Sequence, residues 1–272
     1  MNTRNSVLIV AIVLLSGLVA LLSMPAAFAQ KGDAGLMSQI NKAGRQRMLS
    51  QRIAKAYFQI GLNVRRDEAG EQLKAAVNDF DSQLVSLKNA APSAPVADAV
   101  RIVDELWKPY REAVLAPYSQ EALLKVMSLS DDVLAASQTV VEKLEAQSTE
   151  RVARIVNLAG RQRMLSQRLA KYYLLRELGA RPPLVTQGIE TVRKEFMDAQ
   201  AILRNAPETN ADARKLVEYM DTQWQLMDYS LSKGHGMMAE FVVLSADKIL
   251  NSADVLTGIY EMQGRAPLTV KQ

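Results

Sequence analysis

The chain carries one eighteen-residue segment twice, almost unchanged, and this repeat limits what the chain can fold into. NKAGRQRMLSQRIAKAYF begins at Asn41, and NLAGRQRMLSQRLAKYYL begins at Asn157, 116 positions later. Outside this motif, Phe80 corresponds to Phe196 and Trp107 corresponds to Trp224 at nearly the same offset. The sequence therefore predicts two homologous units of about 115 residues each.

Each unit has the pattern of four amphipathic helices. Apolar residues recur at helical spacing, and the segments APSAP, APYS, GARPP and KGHG separate the helical stretches. Four such helices with short connections predict an all-α fold of two tandem antiparallel four-helix bundles. Ser119 is expected to cap the fourth helix, and Trp107 and Trp224 are expected to anchor the two cores.

The junction between the units allows two arrangements. No glycine or proline occurs from Ser119 to Ala159, so we expect one long continuous helix from Gln120 to Leu178 that joins the bundles end to end. Arg47 and Arg163 would then lie roughly 40 Å apart. In the competing arrangement the helix breaks in the polar patch EAQSTE, where Ser148 or Thr149 could cap a new helix. The bundles would then lie side by side, with the two arginines facing each other.

The first residues resemble a secretory signal peptide. The apolar run from Val7 to Leu22 follows Arg4 and leads to the A-x-A sequence that ends at Ala29. An uncleaved anchor is the alternative, but the run is shorter than the ~20 residues that a spanning helix needs. We therefore expect residues 1–29 to be removed, residues 30–147 and 148–272 to form the two bundles, and the mature protein to lie in the periplasm.

Composition argues against several classes of function. The chain has no cysteine and one histidine, so neither a disulfide-stapled scaffold nor a transition-metal site is expected. The net charge of +4 is too small to indicate a nucleic-acid partner. No arrangement of residues typical of catalysis occurs, and the chain is expected to be non-enzymatic and to need no cofactor.

The repeated motif places one arginine on a stripe of small residues. On a helix, Arg47 shares a face with Gly44 and Ser50, and Arg163 shares a face with Gly160 and Ser166. A buried guanidinium is costly unless an anion meets it, yet no acid occurs between Asp33 and Asp67 or between Glu150 and Glu177.

Two interpretations of these arginines remain open. The guanidinium groups could pair with acids on other helices, such as Asp79, Asp81 or Asp104. Alternatively they could capture a small planar oxyanion, for which a guanidinium is well suited. Arg45 lies on the opposite side of the helix, where we expect it to be solvated or paired at the surface.

The motif AGRQRMLSQR resembles the signature of the PilJ-type domain, the N-terminal sensing region of type IV pili methyl-accepting chemotaxis transducers. It is also similar to the P-box of the periplasmic domains of nitrate/nitrite sensor kinases. The resemblance implies a four-helix bundle that binds nitrate through the arginine matched by Arg47 and Arg163, between two first helices. The matching glycines and serines, Gly44, Gly160, Ser50 and Ser166, belong to the same box.

The resemblance implies an exported sensory protein that binds a small oxyanion, with nitrate or nitrite favoured. Because no membrane helix, HAMP or kinase region follows the second unit, we expect the signal to pass through a separate partner. A membrane sensor or a transporter component would fit that role, and the chain could in addition form a homodimer. The alternative function is a helical protein–protein interaction module of the cell envelope with no small-molecule ligand.

Overall fold

The computed structural model describes residues 35–148, 151–179, 182–232 and 238–265, and within these ranges the fold is all-α with no β-strand. The helices of the first unit are α1 (35–62), α2 (Arg66–Ala90), α3 (Ala94–Leu115) and α4 (Gln120–Glu145). Those of the second unit are α5 (Arg151–Glu177), α6 (Pro182–Asn205), α7 (Ala211–Ser232) and α8 (Ala239–Arg265). The predicted fold class of helical bundles is confirmed.

Local sequence explains several helix ends. Ser119 caps α4 as predicted, because its side chain accepts a hydrogen bond of 3.1 Å from the amide of Ala122. Asn210 caps α7 in the same way through the amide of Ala213. Helix α1 ends before Asn63, which adopts a left-handed conformation, and α5 is followed by Gly179, whose φ is +78°.

Corresponding aromatic pairs anchor the two units. Phe80 stacks on Trp107 with ring centroids 3.9 Å apart, and Phe196 stacks on Trp224 with centroids 3.8 Å apart. Both tryptophans are buried, as predicted. The buried apolar side chains of the two units belong to one contiguous cluster, so the core continues from one unit into the other.

The prediction of a continuous helix from Gln120 to Leu178 is wrong. Helix α4 ends at Glu145, and the amides of Gln147 and Ser148 close a tighter final turn on the carbonyls of Leu144 and Glu145. Lys171 of α5 lies 2.7 Å from the carboxylate of Asp131 in α4, a contact that an unbroken helix would make impossible. Burial of both first helices in a shared core therefore outweighs the helical propensity of the junction.

The two units lie side by side with their first helices parallel. Helix α1 runs antiparallel to α8, because Arg45 contacts Asp254 and Lys55 contacts Asp247. Helix α5 also runs antiparallel to α8, because Arg163 contacts Asp254 and Gln167 contacts the carbonyl of Ala246. The two copies of the motif thus reach the same level at the interface between the units.

Some predictions fall on residues outside the described ranges. The signal-peptide segment 1–29, the alternative cap Thr149 and the only histidine, His235, all lie there. Among the helices of the described ranges, none is both long and apolar enough to cross a membrane.

Candidate functional site

The arginines of the two motifs meet at the contact between α1 and α5. Both Arg47 and Arg163 are fully buried. A Cβ atom added to Gly44 would lie 3.2 Å from Nη2 of Arg47 and 3.4 Å from Nη2 of Arg163. The two nitrogens are therefore less than about 7 Å apart, a separation at which like charges repel strongly in a desolvated site. The expectation that these arginines lie roughly 40 Å apart is wrong, because it assumed the continuous helix that the chain does not form.

Each guanidinium reaches across to the opposite unit. Nη2 of Arg47 donates to Oδ1 of Asn157 at 2.8 Å, and Nη2 of Arg163 donates to Oδ1 of Asn41 at 2.8 Å. These asparagines open the two copies of the motif. Each of them donates in turn to a carboxylate, Asn157 to Glu145 and Asn41 to Glu261. The duplicated sequence thus forms a near-symmetric pair of sites within one chain.

The symmetry fails at one position. Nη1 of Arg163 donates to Asp254 at 2.6 Å, whereas Nη1 of Arg47 donates to the amide oxygen of Gln138 at 2.6 Å. Gln138 and Asp254 occupy equivalent places in the two units, 116 residues apart. The Nε atom of Arg47 is also buried and has no hydrogen-bond partner. Arg47 is therefore a buried cation whose direct hydrogen-bond partners are neutral.

Burial and charge act differently on the two arginines. Burial, reinforced by the charge of Arg163, lowers the pKa of Arg47 to about 9. Burial also lowers the pKa of Arg163, but the adjacent carboxylate of Asp254 opposes this effect. Arg47 remains protonated at neutral pH. The environment of Arg47 disfavours positive charge because its desolvation and the charge of Arg163 outweigh the opposing effect of Glu145 and Glu142.

Arg45 is paired at the surface, as predicted, but its partner connects it to the site. Its Nη2 atom contacts both carboxylate oxygens of Asp254 at 2.8 Å, and its side chain is 39% exposed. Asp254 therefore serves both Arg45 and Arg163. The negative charge that faces Arg163 is shared between two cations.

The glycines of the motif make room for the guanidinium groups. A Cβ atom added to Gly160 would lie 2.8 Å from Nη2 of Arg163, closer than a real contact allows. The serines are committed to their own helices: the hydroxyl of Ser50 donates to the carbonyl of Arg47, and that of Ser166 donates to the carbonyl of Arg163. A direct role for these serines in binding stays a prediction.

The acids considered from the sequence are not the partners of the motif arginines. Asp81 accepts hydrogen bonds from Trp107 and Arg111, and Asp104 pairs with Lys88 and Lys108. Sequence reasoning missed the residues that contact the guanidinium groups, which are Asn41, Gln138, Asn157 and Asp254. The asparagines could have been found because both copies of the motif begin with one.

One comparison identifies the family. The profile described as "PilJ: Type IV pili methyl-accepting chemotaxis transducer N-term" matches residues 28–133 and 145–256, one match per unit. The chain belongs to the PilJ family. The family is described as the N-terminal region of chemotaxis transducers, and this chain carries it in two tandem copies. No significant match is found among curated proteins or among solved structures.

A second symmetric contact joins the two PilJ units about two turns further along α1 and α5. Lys55 of α1 lies 2.6 Å from Asp247 of α8, and Lys171 of α5 lies 2.7 Å from Asp131 of α4. Both lysines are fully buried. Burial lowers the pKa of Lys171 to about 8, although Asp131 acts in the opposite direction. Because each lysine has its own carboxylate, these pairs fix the units in register.

The described part of the chain contains no cluster of three or more His, Cys, Asp or Glu residues that could hold a metal ion.

Proposed function

We propose that this chain is an exported sensory protein that binds one small oxyanion between α1 and α5, and that nitrate or nitrite is the favoured ligand. The anion would lie against Arg47 and within the positive field of Arg163. Gly44 and Gly160 would leave space for the guanidinium groups. A separate protein partner would transmit the signal.

One observation carries this proposal: two fully buried guanidinium groups lie less than about 7 Å apart, and of the two only Arg163 is hydrogen-bonded to a carboxylate. Glu145 is linked to Arg47 through Asn157, and this leaves the positive charge of Arg47 incompletely compensated. A small anion would relieve the repulsion and supply acceptors for bidentate hydrogen bonds. Such a ligand would also satisfy the Nε atom of Arg47.

The resemblance of the motif to the P-box of nitrate/nitrite sensor kinases supports the choice of ligand. In the sensor kinases that the motif resembles, the binding arginines belong to the first helices of two bundles. Here α1 and α5 are parallel first helices within one chain, and their motif arginines reach the same level. The tandem repeat would thus supply both halves of a site that otherwise needs two chains.

Export to the periplasm forms part of the proposal. It rests on the signal-peptide pattern of residues 1–29 and on the membership of the chain in a family of transducer N-terminal domains. An oxyanion sensor of this kind would sample solutes outside the cytoplasmic membrane.

The alternative is an interaction module with no small-molecule ligand, in which the arginines only join the units. The contact between Arg163 and Asp254 is the observation in its favour, because that arginine already has a carboxylate partner. The direct hydrogen-bond partners of Arg47 are neutral, and this observation favours the ligand-binding function.

Calorimetric titration of the mature protein separates the two functions. Nitrate, nitrite, sulfate and phosphate would be added in turn to protein from which anions have been removed by dialysis. We expect saturable binding of nitrate or nitrite at one site per chain. Absence of heat with all four anions would favour the interaction module.

A further inference from the structure

The two halves of the interface differ in the cavities that adjoin them. A cavity of about 280 Å³ lies between α4, α5 and α6 and includes Asn157, the residue that accepts a hydrogen bond from Arg47. Three arginines line it, Arg151, Arg154 and Arg161, and we refer to them as the arginine vestibule. Among the described residues that line this cavity, Glu145 is the one carboxylate, and it is hydrogen-bonded to Asn157.

The cavity beside the other arginine has the opposite charge balance. It has a volume of about 370 Å³ and includes Asp254, the carboxylate that binds Arg163. Two arginines and three carboxylates line it, namely Arg45, Arg52, Glu71, Asp79 and Asp254. An anion would therefore meet a repulsive wall on this side and an attractive one at the vestibule.

The duplication shows which residues create this difference. Arg151 and Arg154 of the second unit correspond to Gly35 and Ser38 of the first unit at the repeat offset of 116. The second unit thus has two added positive charges near Asn157. They lie on the Arg47 side of the interface, where Gln138 occupies the place that Asp254 has on the Arg163 side. Three sequence differences between the repeats, two on α5 and one on α4, favour an anion at Arg47 over Arg163.

We propose that the oxyanion site is one-sided: the anion reaches Arg47 through the arginine vestibule, displaces the side chain of Asn157 from Nη2, and leaves Arg163 bound to Asp254. This inference rests on the proposed oxyanion binding. It adds the path that the anion takes, the arginine that binds it and the side chain that it displaces. In the unbound state the side chain of Asn157 occupies the position at Nη2 of Arg47 that the anion would take. Arg151 and Arg161 retain ion pairs with Glu208 and Glu195 and attract the anion without enclosing it.

Exchange of residues between the repeats tests the path. The double variant Arg151→Gly, Arg154→Ser gives the vestibule the residues of the first unit, and Gly35→Arg, Ser38→Arg places the same charges on the opposite side. Nitrate affinity would be measured by calorimetry for both, and for the combined variant that keeps the net charge. We expect the first and combined variants to bind nitrate roughly 3- to 10-fold more weakly and the second to bind like the wild type.

Equal and opposite changes in the two double variants would mean that only net charge matters, and would overturn the vestibule. An unchanged affinity in the vestibule variant would overturn it as well. In both cases the wild type still binds nitrate, so the proposed function stands. Absence of nitrate binding by the wild type would instead overturn the proposed function itself.

A second pair of variants tests which arginine binds the anion. In each of them the new side chain has nearly the same shape as the asparagine that it replaces. Asn157→Asp would place a carboxylate on Nη2 of Arg47, and Asn41→Asp would place one on Nη2 of Arg163. We expect at least a roughly 10-fold loss of nitrate affinity in the first and a much smaller loss in the second. Equal losses, or a larger loss in Asn41→Asp, would contradict a one-sided site. Circular dichroism would verify that both variants remain helical.

Discussion

Arg47 and Arg163 are separated by 116 residues in sequence, yet their Nη2 atoms lie within 3.4 Å of one point beside the α-carbon of Gly44. The approach is possible because the chain reverses after Glu145 and brings two parallel copies of one helix face to face. It concentrates positive charge where water is excluded.

Arg47→Lys should weaken nitrate binding more than any other single lysine substitution in the motif. A planar guanidinium can bind an oxyanion through two hydrogen bonds, whereas an ammonium acts as a point charge, so we expect a loss of roughly 1–3 kcal/mol. Calorimetric titration measures the loss. Arg45→Lys is the control, because Arg45 is partly exposed and paired with Asp254. Losses of equal size would indicate diffuse electrostatic attraction.

Gln138→Asp should convert the Arg47 half into a copy of the Arg163 half. The new carboxylate would neutralise Arg47, so we expect a more stable protein that binds nitrate at least roughly 10-fold more weakly. Thermal unfolding with and without nitrate measures both effects.

The reverse change, Asp254→Gln, provides the matched comparison. It removes the counter-charge of buried Arg163 and should destabilise the protein by roughly 1–3 kcal/mol, since Asp254 is itself partly exposed. Added nitrate should restore part of this stability. A Gln138→Asp variant that binds nitrate as tightly as the wild type would show that Arg47 is not the binding group.

Gly160→Ala should destabilise the contact although alanine favours helices. The added methyl group would meet Nη2 of Arg163 at 2.8 Å, and Arg163 cannot move without losing hydrogen bonds to Asn41 and Asp254. Gly258→Ala in α8 is the control, because nothing lies within 4 Å of its added Cβ. We expect the control to gain up to about 1 kcal/mol and Gly160→Ala to lose about 1–3 kcal/mol in chemical denaturation. A gain in both would contradict the tight packing of the guanidinium.

Lys171 should make stability depend on pH above neutrality. Its pKa is lowered by burial from 10.5 to about 8 in the folded protein, so between these values the unfolded chain binds more protons than the folded chain. Its contribution to the free energy of unfolding should therefore rise from about pH 8 to about pH 10.5 and stay constant below pH 8. Lys171→Gln should lose this rise when unfolding is measured across the range. An identical pH dependence in both proteins would refute the assignment.

Much of the fold could be predicted because its signals are local. The repeat, the helical periodicity and the cap at Ser119 each depend on neighbouring residues, and the structure places helix ends close to the expected positions. The reversal after Glu145 could not be predicted in the same way. No glycine or proline marks it, and its cause is the burial of α1 against α5, which is visible only once both units are folded.

The site was predictable in part. Arg47, Arg163, Gly44 and Gly160 were found because a charge on a small-residue stripe is unusual within one helix. Their partners Gln138 and Asp254 lie on other helices and differ between the repeats, so neither periodicity nor identity indicates them. Only the structure shows that Gln138 contacts Arg47 in the way that Asp254 contacts Arg163, so that an amide stands where the other unit has a carboxylate.

A crystal structure of the mature protein grown with nitrate would test the one-sided site at atomic detail. We expect density for one planar anion at the contact of α1 and α5, within hydrogen-bonding distance of the guanidinium of Arg47. The side chain of Asn157 should have moved aside, and Arg163 should still be bound to Asp254. Nitrate bound only at exposed arginines, with Arg47 still hydrogen-bonded to Gln138 and Asn157, would contradict it.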